Sequence, residues 1–268
     1  MHPFPIVVDA GATFAIAIVA GADPGTAVRL AGGMLALQAA IGALNDVVDA
    51  PRDAGRKPGK PIPAGLVSTR AAGAVCLAAA LVGLLLSLPS GLLTVGVAVA
   101  ILCIGAVYDL RLKGTPWSWV PFASGIPLLP VYAWLGAVGS LPALFVVLLP
   151  AAFAAGAALA IANALADVER DEAAGVTSIA AHLGQWRAWR VHMALHGAVL
   201  GTAAASLAIQ GVPGSMVGLG VGLPAIPIGV GCWLAAHQSP SWRERAWELE
   251  AIGIAVLAGT WLVLGLTR

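Results

Sequence analysis

Charge is the scarcest commodity in this 268-residue chain: Asp, Glu, Lys and Arg make up only 10% of it, where soluble domains carry about 25%. That poverty excludes an ordinary water-exposed surface. The net charge of +1 and the absence of any block of like charge exclude a nucleic-acid partner. Cysteine is scarce too. Cys76, Cys103 and Cys232 lie far apart in apolar stretches, which speaks against a disulfide framework and equally against a zinc site. The N-terminus has no cationic segment ahead of a short apolar stretch and no cleavage pattern, so the first apolar run is expected to stay as a helix.

What the chain does have is apolar sequence, 59% of residues with a mean hydropathy of +0.91. Runs of about 17 to 25 such residues are the length of a membrane-crossing helix. Nine are expected: 5 to 22, 27 to 48, 69 to 88, 91 to 109, 117 to 136, 141 to 166, 188 to 210, 214 to 236 and 249 to 266. The fold class is therefore an all-α integral membrane protein, a bundle of nine transmembrane helices forming one domain over 1–268. Its connections alternate in character. Those near 22 to 25, 87 to 91, 136 to 141 and 211 to 214 are short, and of the 14 Lys and Arg only Arg29 and Arg268 fall on their side. The positive-inside rule then puts the other four connections in the cytoplasm, the N-terminus inside and the C-terminus outside, in a cell inner (plasma) membrane.

Against this apolar background one polar pattern is written twice: Asn45-x3-Asp49-x3-Asp53 and Asn163-x3-Asp167-x3-Asp171, offset by the same 118 residues. Positions four apart share a helix face, so each copy stacks an amide and two carboxylates. Two such lines facing each other would bind divalent cations. Both close even-numbered helices, which run outward to inward, so both are expected at the cytoplasmic face. Charged groups at membrane depth are costly and mark function. The first copy continues into Arg56, Lys57 and Lys60, with Asp46 alongside. Magnesium takes a carboxylate or two plus waters and substrate phosphates, so acid and base on one loop suit a metal-bridged diphosphate. A lone loop of this kind reads equally well as solvated, positive-inside sequence, and the second triplet tips the balance.

These residues carry a resemblance. Asn45 to Gly65 resembles the first aspartate-rich signature of the UbiA superfamily of intramembrane prenyltransferases. Asn163 to Gly184, with Asp167-Val168-Glu169-Arg170-Asp171, Thr177 and Leu183-Gly184, resembles the second, and Tyr108 to Lys113 is similar to the family's segment after helix four. The resemblance covers essentially the whole chain and implies cytoplasmic cap loops after helices 2 and 6. It implies that Asn45, Asp49 and Asp53 hold one Mg2+ and Asp167 and Asp171 another, with Asn163 nearby and Asp46 sharing the first site. Arg56, Lys60 and Lys113 would grip the diphosphate. Lys60 stands where many relatives carry Arg, keeping the charge and giving up the planar fork. Pro51 disfavours helical geometry before it, so Asp53 is expected beyond the helix end. Asp46, Asp109 and Lys113 are the residues assigned to catalysis; Asp109 reads either as a base on the acceptor side or as an ordinary interfacial charge.

The implied reaction transfers a prenyl group from a polyprenyl diphosphate through an allylic carbocation to an unidentified acceptor, aromatic or lipid, with membrane lipid around it. A terpene cyclase and a phosphoribosyl-transferring relative use the same metal pattern and stay open as alternatives. A transporter would gather ionisable groups near the midplane, where this sequence has almost none. Trp117, Trp119, Phe122, Tyr132 and Trp134 either steady a cation or pack. His192 and His196, four apart, have the spacing of a ligand pair, but with no third ligand nearby in sequence they read as packing or pocket-lining residues.

Overall fold

A computed structural model describes residues 3–54, 59–237 and 239–266. Among them every regular element is helical, twelve α-helices with a 3-10 turn and a π turn. Eight spans among the described residues are long and apolar enough to cross a membrane, and the first helix, 17 residues, is shorter. The chain is a multi-pass membrane protein. It divides into two compact units, Met1–Arg111 with Val131–Ser140, and Leu112–Pro130 with Leu141–Arg268.

The first unit is built on α2 (Pro24–Asp53), which packs against α1 (Pro3–Val19), α3 (Thr69–Ser87) and α4 (Leu92–Val107). Local chemistry sets where α2 begins. Pro24 is fixed in helical φ at the first position, and the Asp23 carboxylate accepts from the backbone N–H of Gly25 (2.9 Å) and Thr26 (3.1 Å). Its hydrogen bonds to Thr26 hold Asp23 below the usual carboxylate range. Leu30, Met34 and Leu37 form the fully buried face of α2. Polar ties add to this packing. Gln38 donates to Asp9 of α1 (2.6 Å), and Arg29 donates to the Leu86 carbonyl (2.5 Å), one of the orphan acceptors at the end of α3, and to Ser90 (2.8 Å). The later part of α6 (Leu128–Val138) belongs here too, through Tyr132 on Ser87 (2.9 Å) and Ser90 on the Gly136 carbonyl (2.7 Å).

The second unit centres on α7 (Phe145–Ala166), which packs against α5 (Trp119–Gly125), α10 (Gln185–Ile209) and α12 (Pro240–Leu266). Its alanines allow that closeness. At Gly156 a Cβ would overlap the Phe122 carbonyl of α5, so the crossing needs glycine. Next along the chain come α8 (Val168–Ala173), α9 (Ile179–Leu183) and α11 (Gly214–Leu234). Pro224 inside α11 has no N–H to give the Gly220 carbonyl. Thr260 of α12 donates to that carbonyl instead, at 2.6 Å, the repair a helix in lipid requires.

Large aliphatic residues stay outside in stripes, Leu77, Leu81 and Leu85 on α3 and Leu219, Leu223, Ile226 and Val230 on α11. At helical spacing these are faces turned to hydrocarbon. Several boundaries differ from the hydropathy reading. The fifth run breaks into α5 and α6, α7 begins at Phe145, and α12 begins at Pro240 because its first turns carry charge. Asp53 is the last residue of α2, not beyond it. Pro51 falls in the final turn, where the helix continues far enough for Ala54 to donate to Ala50 (3.2 Å).

Candidate functional site

In the first unit the triplet lies along the last turns of α2. Asp46, Asp49 and Asp53 are 9%, 7% and 6% exposed, and Asn45 is half-buried. Burial of three carboxylates requires compensating charge or hydrogen bonds. Lys60 supplies part of both: its ammonium lies 2.7 Å from Asp46 and 3.3 Å from Asp53. Burial by itself would lower the Lys60 pKa, and the hydrogen bond and charge of Asp46, with Asp53, outweigh it and push it above the ordinary lysine range. A short turn carries Lys60 there. Its carbonyl accepts from Ala64 (3.0 Å), Leu66 donates to Pro61 (2.9 Å), and Gly65 closes the turn at φ +73°, where glycine alone is unstrained.

The third sequence element joins this cluster. After α4 the chain makes a π turn over Tyr108–Leu112, a wide turn common at functional sites, and Asp109 is buried in it. Asn45 donates its amide N–H to Asp109 at 2.7 Å, leaving the amide oxygen as the group a cation would take. The donors gathered here are one amide and several carboxylates, all hard oxygen. That set fits Mg2+.

The second triplet is built differently. Asn163 is half-buried within α7, which stops at Ala166. Asp167 takes a bridge conformation between α7 and α8 (φ −108°, ψ 3°). The helical spacing resumes at once, because the Asp171 N–H donates to the Asp167 carbonyl at 2.9 Å. The single straight line expected from the spacing is therefore broken at its middle residue. Asp167 keeps 43% of its side chain exposed and is paired with Arg170, which also reaches Glu244 (3.2 Å). Glu169, next to Arg170, pairs with the fully buried Arg243 of α12, and Arg243 also donates to the His237 carbonyl at 3.0 Å. Lys113 is half-buried in the turn before α5. That turn lies against this segment, since a Cβ at Gly114 would touch Val176 at 3.0 Å, and Val176 itself donates to the Asp171 carbonyl (2.8 Å). Gly184, the end of the second signature, takes φ +77° between α9 and α10.

Arg56 lies outside the described residues. Sequence reasoning passed over Arg170, although three residues after Asp167 is within reach on a helix. It gave no signal for Arg243. The aromatic group divides between the units. Trp119 meets Phe153 edge-on at 6.2 Å and Trp117 is exposed, whereas Tyr132 is fully buried on Ser87. The near-absence of ionisable groups inside the spans also fails in the second unit: His192, His196, Cys232 and Glu250 are buried together on α10, α11 and α12.

A model of the UbiA prenyltransferase family matches residues 6–263. The chain belongs to the UbiA prenyltransferase family. Among curated relatives, a digeranylgeranylglyceryl phosphate synthase of Methanopyrus kandleri is 33% identical over 175 residues, which is 65% of this chain and 64% of that protein, just under two thirds of the relative's length. Among solved structures, the apo UbiA homologue of Aeropyrum pernix K1 superposes with a TM-score of 0.78 at 18% identity, covering 97% of this chain and 98% of that one. A UbiA homologue of Archaeoglobus fulgidus, solved with DMAPP and Mg2+, gives 0.69 at 18% identity, covering 96% of each. These likenesses show that the chain has the UbiA fold.

Proposed function

We propose that this UbiA-family chain is an intramembrane prenyltransferase that moves a prenyl group from an allylic polyprenyl diphosphate to an aromatic or lipid acceptor. The observation that carries it is the cluster of buried Asp46, Asp49 and Asp53 with half-buried Asn45 under Lys60, an oxygen-rich set that an apolar helix end would not otherwise keep. The A. fulgidus homologue with DMAPP and Mg2+ and the M. kandleri synthase support the donor class and a lipid acceptor respectively.

In this reading Asn45, Asp49 and Asp53 would hold one Mg2+, and Asp167 and Asp171, with Asn163, would hold another. Bound magnesium supplies the positive charge that neutralises a leaving diphosphate. Lys60 sits on Asp46 and Asp53, and from there its ammonium would add positive charge for the diphosphate. Arg56 and Lys113 serve the same anion, stabilising charge as it develops. Asp109, which accepts from Asn45, would take a proton from the acceptor, and Asp46 would keep Lys60 in place. The allylic C–O bond ionises, and the surrounding alanine- and leucine-rich helices exclude the water that would quench the cation. That one diphosphate is served by both triplets is what the family resemblance implies. Nine crossings, caps formed by residues 49–69 and 167–187, a cytoplasmic N-terminus and a single functional domain over 1–268 belong to the same proposal.

The test is direct. Purified protein with Mg2+, a panel of allylic diphosphates and pooled acceptors should form a prenylated acceptor detectable by mass spectrometry, and EDTA should stop it. A cyclic hydrocarbon or terpene alcohol formed at full rate without any acceptor would replace transfer with cyclisation. For topology, single cysteines at Ser68 and Ser140 in a background lacking Cys76, Cys103 and Cys232 should label from opposite sides of the membrane. Labelling of both by an impermeant reagent from outside would refute the assignment.

A further inference from the structure

We propose that His192, His196, Cys232 and Glu250 form a second kind of metal centre, a four-ligand site for a zinc-class divalent ion among the membrane-spanning helices of the second unit. The three helices α10, α11 and α12 each contribute, and the four ligand atoms lie within 4.8 Å of one another. The His192 and His196 Nε2 atoms converge on the same Glu250 oxygen, at 2.8 Å and 3.3 Å. Ligand atoms around tetrahedral zinc, bonded at about 2.0 to 2.3 Å, stand roughly 3.3 to 3.8 Å apart, so the cluster is within small side-chain adjustments of that geometry.

Burial and charge make the case stronger than proximity. His192 and Glu250 are fully buried, His196 nearly so and Cys232 is 8% exposed. Hydrogen bonding alone serves this group badly. If both imidazoles donate from Nε2 to one carboxylate oxygen, the Nδ1 of each ring and the Glu250 Oε1 remain buried without a hydrogen-bond partner, and each such group is costly. A divalent ion between a thiolate, a carboxylate and two neutral imidazoles has no net charge, the arrangement best suited to a low-dielectric interior. Imidazole and thiolate select zinc over magnesium, so this donor set is chemically distinct from the oxygen-only triplets.

The neighbours hold the ligands in place. Trp189 donates its indole N–H to the Cys232 carbonyl at 2.9 Å, fixing the backbone that carries the thiol. A Cβ on the preceding residue, Gly231, would lie 2.5 Å from Glu250 Cγ, so glycine there lets α11 close on the carboxylate. Four protein ligands with no open position describe a structural centre. Its role would be to clamp α10, α11 and α12 together.

Full-length protein with a histidine-free tag, purified without chelator, should carry one zinc per chain by elemental mass spectrometry. After metal removal, Co2+ should add one equivalent, giving visible bands of tetrahedral cobalt and a near-ultraviolet thiolate-to-cobalt band. Cys232→Ser should erase the thiolate band and weaken Co2+ binding at least tenfold; it leaves the His–Glu contacts intact, so it should stay folded by circular dichroism. Glu250→Gln and His192→Ala should remove the equivalent. Asp49→Asn combined with Asp167→Asn should keep the thiolate band, so failure of the magnesium reading leaves this result unchanged. Absence of the cobalt bands in folded wild-type protein, or survival of the thiolate-to-cobalt band in Cys232→Ser, would overturn the proposal.

Discussion

The two triplets share one spacing and have different surroundings. The first lies along the last turns of a single helix with both carboxylates buried, Asp53 and the neighbouring Asp46 held by Lys60 and the Asn45 amide donating to Asp109. The second is broken at Asp167, half-exposed, and answered by an arginine one turn along the same segment. Spacing therefore fixes which donors come together and leaves open how tightly they are held. The buried copy depends on a counter-charge for its stability, and the exposed copy can lean on water.

The largest expected effect treats the two copies as equals. Asp49→Asn and Asp167→Asn should each lower prenyl transfer more than tenfold, a loss above ~1.4 kcal/mol in transition-state stabilisation, while both proteins stay folded in detergent. If either kept most of its activity, the paired-metal reading would fail for that triplet, and the comparison would become one between a site and a surface.

Stability should separate the copies next. Lys60→Met leaves Asp46 and Asp53 buried without that ammonium, which should cost about 1–3 kcal/mol in chemical unfolding. Added Mg2+ should recover more stability in this variant than in the wild type. The pH dependence has a definite sign. A lysine whose folded pKa is raised gives its full contribution below the unfolded value of about 10.4 and loses it as the pH rises through the folded value. Wild-type stability should therefore show no Lys60-dependent change up to about pH 10 and should fall above that, with a smaller fall in Lys60→Met. An equal alkaline fall in both would remove Lys60 from the account.

Much of this was legible in the residues. The repeated triplet, the cation-bearing loop after it and the helical class all follow from periodicity and composition, because helix spacing and membrane thickness are fixed lengths. The π turn that delivers Asp109 to Asn45 was not legible, since it depends on how α4 ends against α2. Nor was the break at Asp167, where no proline or glycine announces it. The cluster of His192, His196, Cys232 and Glu250 shows the same limit from the other side. A histidine pair looked incomplete because its partners are supplied by two other helices, and scattered cysteines read as inert until the fold brings one of them to a carboxylate.

The smallest expected effect belongs to Arg170. Its side chain is 52% exposed and Asp167 is 43% exposed, and exposed ion pairs contribute only about 0–1 kcal/mol because water screens them and two long side chains lose freedom in pairing. Arg170→Met should thus change unfolding stability by less than about 1 kcal/mol, and the difference should shrink at high salt. The same arginine occupies the carboxylate that a cation would take, so the variant should reach half-maximal prenyl transfer at lower Mg2+ than the wild type. That signature would be absent in Lys113→Met if Lys113 serves the diphosphate rather than Asp167, whose loss should instead raise the diphosphate KM. A stability loss in Arg170→Met as large as that in Lys60→Met would show that the second triplet is as dependent on its counter-charge as the first.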